Sequence, residues 1–234
     1  MLAAETQTIA DMVRESPLRA NIFERYQIDY CCNGKRALED VCAERGLNPS
    51  DLLAQLNSTP RETEGADFNS MSLSGLCGHI VSRHHEYLRS TLPSIAIKAE
   101  KVVAAHGAAH SFLVELGQVL RALSAELTQH MAKEETILFP LIARLEEADR
   151  SGIPAPPSHC GTVLNPIGVM EHEHDDAGAA LRKIRELTSD FRLPEGACNT
   201  FRALYAQLED FEHDLHAHVH LENNILFPRA ATLE

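Results

Sequence analysis

The 234-residue chain sets 34 Asp and Glu against 21 Lys and Arg, a net charge of −13, which argues against a nucleic-acid surface and against adsorption to anionic lipid. No run approaches the roughly 18 apolar residues of a membrane span, and Met1-Leu2-Ala3-Ala4-Glu5-Thr6 lacks the basic start and apolar centre of a signal peptide, so a cytoplasmic protein is expected. Six cysteines, none in Cys-x2-Cys spacing, read as thiols rather than a disulfide framework or structural zinc site; no alternating β-branched run reads as a strand, so the expected class is all-α.

Residues 1–58 read as a small N-terminal helical domain. Thr8 is positioned to cap a short helix that ends before Pro17, a second runs through Asn21 to Tyr26, a third from Arg36 to Arg45 stops at Gly46, and Asn48-Pro49-Ser50-Asp51 opens a fourth. This unit is too small to bury a generous core alone. Between its second and third helices lies Asp29-Tyr30-Cys31-Cys32-Asn33-Gly34-Lys35, with an Asn-Gly turn signal and adjacent cysteines. Cys31 and Cys32 have two readings: small buried residues in a tight turn, or a reactive or metal-binding thiol pair, with Lys35 and Arg36 near enough to favour thiolate. A disulfide between neighbouring cysteines is strained and easily reduced, which suits a redox role.

Residues 59–70, with Pro60 and Gly65, read as a linker. Residues 71–234 follow as four long helical segments. The first carries His79, His84 and His85 and is expected to kink or break near Pro93. The second runs from about His110 to Ala148, the third from near Asn165-Pro166, and the fourth from about Cys198, with a clear break at Ser151 to Pro157.

A repeat organises these segments. His130-x3-Glu134-x2-Ile-Leu-Phe-Pro140 returns as His218-x3-Glu222-x2-Ile-Leu-Phe-Pro228. A His and a Glu four apart lie on one face of a helix, where both reach one metal. His85 precedes His130 by 45 residues and His174 precedes His218 by 44, so each half is a hairpin with one His on its first helix and His-x3-Glu on its second. Such a duplication predicts an up-and-down four-helix bundle with its metal site built from inward-facing side chains.

A lone His-x3-Glu is most often a surface pair. Here the repetition, with an apolar run after each copy, favours burial, and buried imidazoles and carboxylates must be paired or coordinated. The candidate ligands are His85, His130, Glu134, His174, His218 and Glu222. Six exceed the need of one tetrahedral zinc and suit a pair of first-row ions, iron or manganese, with two His to each ion, both carboxylates shared and coordination positions left open. Glu126 and Asp214, each four residues before a ligand His, and Glu173 beside His174 read either as outer residues orienting an imidazole or as solvated acids. His84 is the substitute ligand if the register is shifted; His172, His216 and His220 read as neighbours of the site or as surface residues. His79, His106, His110, His159 and His213 have no supporting spacing.

The loop Asp29-Tyr30-Cys31-Cys32-Asn33-Gly34-Lys35, together with the two His-x3-Glu stretches and Met170-Glu171-x-Glu173-His174-Asp175, resembles the iron-sulfur cluster repair proteins: a cysteine-pair module followed, over residues 71–230, by a hemerythrin-like di-iron domain. The resemblance covers nearly the whole chain. It implies two non-haem iron ions, oxo- or hydroxo-bridged, on His85, His130, Glu134, His174, His218 and Glu222, with Glu126 and Glu173 near the iron path. It further implies a cytoplasmic, often dimeric protein that restores iron-sulfur clusters damaged by nitrosative or oxidative stress, with damaged iron-sulfur proteins as iron acceptors and nitric oxide or dioxygen as small ligands. The alternative is a protein that binds or reduces nitric oxide. Asn33 stands where the family often has Gly, and His172 adds a donor beside the site.

Overall fold

The computed structural model describes residues 3–59, 67–154 and 157–234. Most of the expected linker, residues 60–66, and part of the expected break, residues 155–156, lie outside the described residues.

Four short helices open the chain: α1 (Ile9–Glu15), α2 (Ala20–Arg25), α3 (Leu38–Arg45) and α4 (Pro49–Ser58). Thr8 caps α1 as its position predicts, its hydroxyl accepting from the Asp11 N–H. Asn48 caps α4 by accepting from the Ser50 N–H.

Four rods then form the bundle. The first is α5 (Leu73–Ile80), a π-helical turn at Val81–His85, and α6 (Glu86–His106). The second is α7 (Phe112–Lys133), a π turn at Glu134–Leu138, and α8 (Phe139–Ser151). The third is α9 (Leu164–Thr188), and the fourth is α10 (Asn199–Leu221), a π turn at Glu222–Leu226, and α11 (Phe227–Ala230). α6 packs on α7 and α10, and α7 on α9, as an up-and-down bundle requires. Among the described residues no strand forms beyond two isolated bridges.

Pro93 lies inside α6, which continues through it, so the expected break does not occur. Leu88, Leu92, Ile95, Ala99 and Val102 are buried along α6 on both sides of it, and this burial outweighs the roughly 3 kcal/mol that an internal proline costs. The departure from α geometry falls earlier in the rod, at the π turn that ends on His85.

The core has two apolar clusters. One joins the N-terminal helices to the bundle, with Phe23, Tyr30 and Leu38 in the same cluster as Leu208, Phe211 and Leu215. The N-terminal unit therefore completes its small core on α10. The other cluster gathers Leu76, Ile80, Leu138, Ile142, Ile167 and Leu226 at the far end. Near where these clusters meet, the rods carry buried polar residues, among them His84, His85, His130, Glu134, His174, Asp214, His218 and Glu222.

Candidate metal centre

Each rod sends one or two of these polar residues inward. Three of the four rods do so at a π turn. His85 closes the first, while Glu134 and Glu222 open the other two, where the N–H of Phe139 reaches back to the Glu134 carbonyl and that of Phe227 to the Glu222 carbonyl. Pro140 and Pro228 follow directly; each lacks the N–H that an uninterrupted α-helix would use, so the repeated Phe-Pro suits the disturbed ladder. The third rod, which carries His174, has no π turn.

The six predicted ligands converge, and each is at most 2% exposed. His85 and His218 face each other with Nε2 atoms 3.3 Å apart, and His130 and His174 do so at 3.1 Å. Glu134 Oε2 lies 3.3 Å from His85 Nε2 and 3.4 Å from His130 Nε2. Glu222 spans the other two, with Oε1 3.0 Å from His218 Nε2 and Oε2 3.0 Å from His174 Nε2.

The outer nitrogens set the inner ones. His85 Nδ1 is 2.6 Å from Glu135 Oε1, His130 Nδ1 is 2.9 Å from Glu173 Oε2, and His174 Nδ1 is 2.8 Å from Asn223 Oδ1. Every partner is an oxygen acceptor, so in the neutral imidazole Nδ1 carries the proton and Nε2 turns a lone pair inward. Two such lone pairs 3.1 Å apart, between His130 and His174, repel unless a cation or a proton lies between them. Glu134 makes no hydrogen bond through either oxygen, and Glu222 none through Oε2, although imidazole nitrogens lie 3.0–3.4 Å away: they are close, but they do not donate. A buried carboxylate left in that state costs several kcal/mol.

The ring must hold protons or metal. Burial disfavours a charged His130, yet the adjacent Glu134 carboxylate outweighs it and raises the imidazole to about 9; His85 moves up for the same reasons. His218 is driven down by its burial. His85, Glu134, His218 and Glu222 form one group with donor atoms within 4.8 Å of one another, and His130, Glu134, His174 and Glu222 form a second, both carboxylates being common to the two. Imidazole nitrogen with carboxylate oxygen in buried clusters fits non-haem iron.

The two halves are related residue by residue. Phe139 stacks on His85 and Phe227 on His174, so each Ile-Leu-Phe-Pro stretch seals the imidazole of its own half. Glu135 and Asn223, each one residue past a ring carboxylate, hold the Nδ1 of that same imidazole. Sequence reasoning missed both; the shared offset is the signal that could have found them. The relation breaks once. Glu173 precedes His174 and holds His130, whereas His84 precedes His85 and stacks on His218, whose Nδ1 has no partner.

Other expectations fall elsewhere. Asp214 does not orient His218; it holds His84 Nδ1 at 3.1 Å and Arg83 at 3.4 Å. Glu126 is exposed and stays outside the ring, because Leu123, Leu127 and His130 take the buried stripe of α7 and leave Glu126 at its edge. Glu173 does reach the ring and also binds Lys133. His172 is exposed beside Asp176, His216 pairs with Glu24 at 2.8 Å, and His220 is buried and held by Asn224.

The cysteine loop touches this centre. Asp29 Oδ1 accepts from the N–H groups of Cys31, Cys32 and Asn33 at 3.1, 2.9 and 3.3 Å, and its Oδ2 from Asn33 Nδ2 at 2.7 Å. Asn33 thus closes the turn with its own side chain. Gly34 is obligatory, since a Cβ there would stand 2.2 Å from the Tyr30 carbonyl oxygen. Asn224 Nδ2 donates to the Cys31 carbonyl at 3.1 Å, and Cys32 Sγ lies 3.6 Å from the His174 carbonyl oxygen. Lys35 and Arg36, expected to act on the thiols, are paired with Glu171 at 3.7 Å and Glu44 at 2.6 Å. The Cys31 thiol is pushed up by its bond to Cys32, by burial and by Asp29.

An all-helical bundle enclosing two overlapping His/Glu groups is a hemerythrin-type cation-binding protein. Residues 78–230 match the family described as Hemerythrin HHE cation binding domain, and residues 5–59 match a Domain of Unknown function (DUF542). The chain is 38% identical over 230 residues to the Iron-sulfur cluster repair protein YtfE of Pectobacterium carotovorum subsp. carotovorum, with 98% of each chain covered. It is 40% identical over 225 residues to the protein of that name from Yersinia pseudotuberculosis serotype IB, with 96% of each covered. The chain belongs to the family of iron-sulfur cluster repair proteins. No helix among the described residues is long and apolar enough to cross a membrane.

Proposed function

We propose that the ring holds two iron ions, one on His85 and His218 and the other on His130 and His174, with Glu134 and Glu222 shared, and that the protein repairs stress-damaged iron-sulfur clusters by giving up this iron. One observation carries the reading: both buried carboxylates belong to both four-residue groups and make no hydrogen bond through three of their four oxygens. Held by these residues, iron would supply an exchangeable source of metal for cluster rebuilding. The protein's part is to orient the four imidazoles through Glu135, Glu173 and Asn223, to keep water out with Phe139 and Phe227, and to take up protons on His130 and His85 as iron leaves.

The test is metal content followed by transfer. Anaerobically purified protein should carry two irons per chain, and Glu134→Leu with Glu222→Leu should carry none. Mixed with an iron-sulfur hydro-lyase inactivated by nitric oxide, protein loaded with isotopically labelled iron should restore activity and place the label in the rebuilt cluster. Recovery without label, or equal recovery with the iron-free variant, overturns the proposal.

A further inference from the structure

Outside the ring, one other cluster of metal-ligating side chains stands out among the described residues. Asp29, Cys31 and Cys32 each offer one donor atom, all within 4.8 Å of one another. Cys31 Sγ lies 3.8 Å from Cys32 Sγ and 3.3 Å from Asp29 Oδ1. Metal–sulfur bonds of about 2.3 Å and metal–oxygen bonds of about 2.0 Å, opened to the tetrahedral angle, set two sulfurs about 3.8 Å apart and a sulfur and an oxygen about 3.5 Å apart. Two of the three donor–donor edges, Cys31–Cys32 and Cys31–Asp29, therefore lie close to those of one tetrahedral ion, and the third is within 4.8 Å.

The surroundings agree. The two thiols and Asp29 lie on the wall of a cavity of about 430 Å³ between the N-terminal helices and α9 and α10, and the acids on that wall outnumber its arginines. Arg185, one of those arginines, is already held by Glu212. Asp29 is kept ionised: burial works against its charge, but the bonds from Asn33, Cys31 and Cys32 outweigh it and hold the carboxyl below its usual range. All six cysteines are free, and the two sulfurs are not joined. The loop is also rigid at this point, because Asp29 ties three successive N–H groups and Gly34 packs under the Tyr30 carbonyl.

We propose that Asp29, Cys31 and Cys32 form a further metal site, separate from the His/Glu ring, that takes one divalent tetrahedral ion of the iron(II), cobalt(II) or zinc(II) class with its fourth position open to the cavity. Binding replaces the two S–H protons, which pass to solvent, and leaves the ion on two thiolates and one carboxylate. The site backs onto α9, with Cys32 Sγ 3.6 Å from the carbonyl of His174, so an ion held there lies one helix wall from the ring.

Cobalt(II) is the probe, because its thiolate charge-transfer absorption and strong tetrahedral bands report sulfur ligation directly. Protein whose ring has been filled with iron should bind one further cobalt per chain with both signatures. Cys31→Ser with Cys32→Ser should lose them while keeping ring iron and helical content. Cys32→Ser alone, a change at a half-buried side chain, should weaken the cobalt site at least tenfold and guards against a folding defect in the double variant. Cobalt binding without thiolate absorption, or absorption unchanged in the double variant, overturns the proposal. Iron content read in the same samples separates this outcome from failure of the ring reading, which appears as missing iron with the thiolate absorption intact.

Discussion

His84 stacks flat on His218, ring centroids 5.4 Å apart and planes 7° apart, at the position where the other half of the bundle sets Glu173 against His130. The substitution of an imidazole for a carboxylate makes the two ends of the ring unequal. At one end both imidazoles have an acceptor on Nδ1, Glu173 on His130 and Asn223 on His174, which raises their donor strength; at the other only His85 has one, Glu135, and His218 has none.

Iron should therefore leave in two steps. With a ferrous chelator in excess, stopped-flow absorbance should resolve a fast phase from the His85–His218 end and a slower one from the His130–His174 end. Glu173→Gln should bring the slow phase toward the fast one. A single phase in the unmodified protein contradicts this account.

The outer partners should be felt in affinity. Removing one such partner typically costs about 10- to 100-fold in metal affinity, so Glu173→Gln, Glu135→Gln and Asn223→Ala should each fall in that range in a chelator competition. Glu126→Gln should not, because Glu126 is exposed and outside the ring. An equal effect at Glu126 would return it to the iron path on which the family resemblance places it.

Metal removal should cost stability only where the carboxylates remain. Stripping the ring leaves Glu134 and Glu222 as buried carboxylates that protons on the imidazoles compensate only in part, a penalty on the order of 3 kcal/mol, equivalent to a fall in Tm of about 6–12 °C for a chain of this size. The Glu134→Leu, Glu222→Leu variant should melt at the same temperature with or without chelator. Scanning calorimetry on the four samples decides it.

Cys198 should be the first thiol to react. It stands at the start of α10, where its bond with His106 and the N–H groups of Phe201 and Thr200 lower it to about 7. The sign follows: thiolate, and with it the alkylation rate, rises as pH increases through about 7 and levels off above. Cys31, Cys42 and Cys77 are buried and pushed up, so they should label later. Mass mapping after brief iodoacetamide treatment across this range checks both the order and the midpoint.

Helix spacing made the ring legible. A His and a Glu four apart share a helix face whatever the helix packs against, and a duplicated pair with matching single histidines leaves few arrangements other than a bundle with the six converging. The N-terminal helices and their caps were legible for the same local reason, as Thr8 shows. What lay beyond reach depends on how the rods are turned about their axes. Three of the rods shift that rotation at a π turn, which carries Glu135, Asn223 and His84, and there Glu135 and Asn223 hold imidazoles and His84 meets Asp214; Glu126 is left outside by the buried stripe of α7 itself. That the helix runs on through Pro93 depends on packing against α7 and α10, which its neighbours in sequence do not encode. The cysteine loop meets His174 across 142 residues of chain. No local periodicity encodes that contact; it follows from an N-terminal unit too small for its own core, which must close on α10 and in doing so lays Cys31 and Cys32 beside α9.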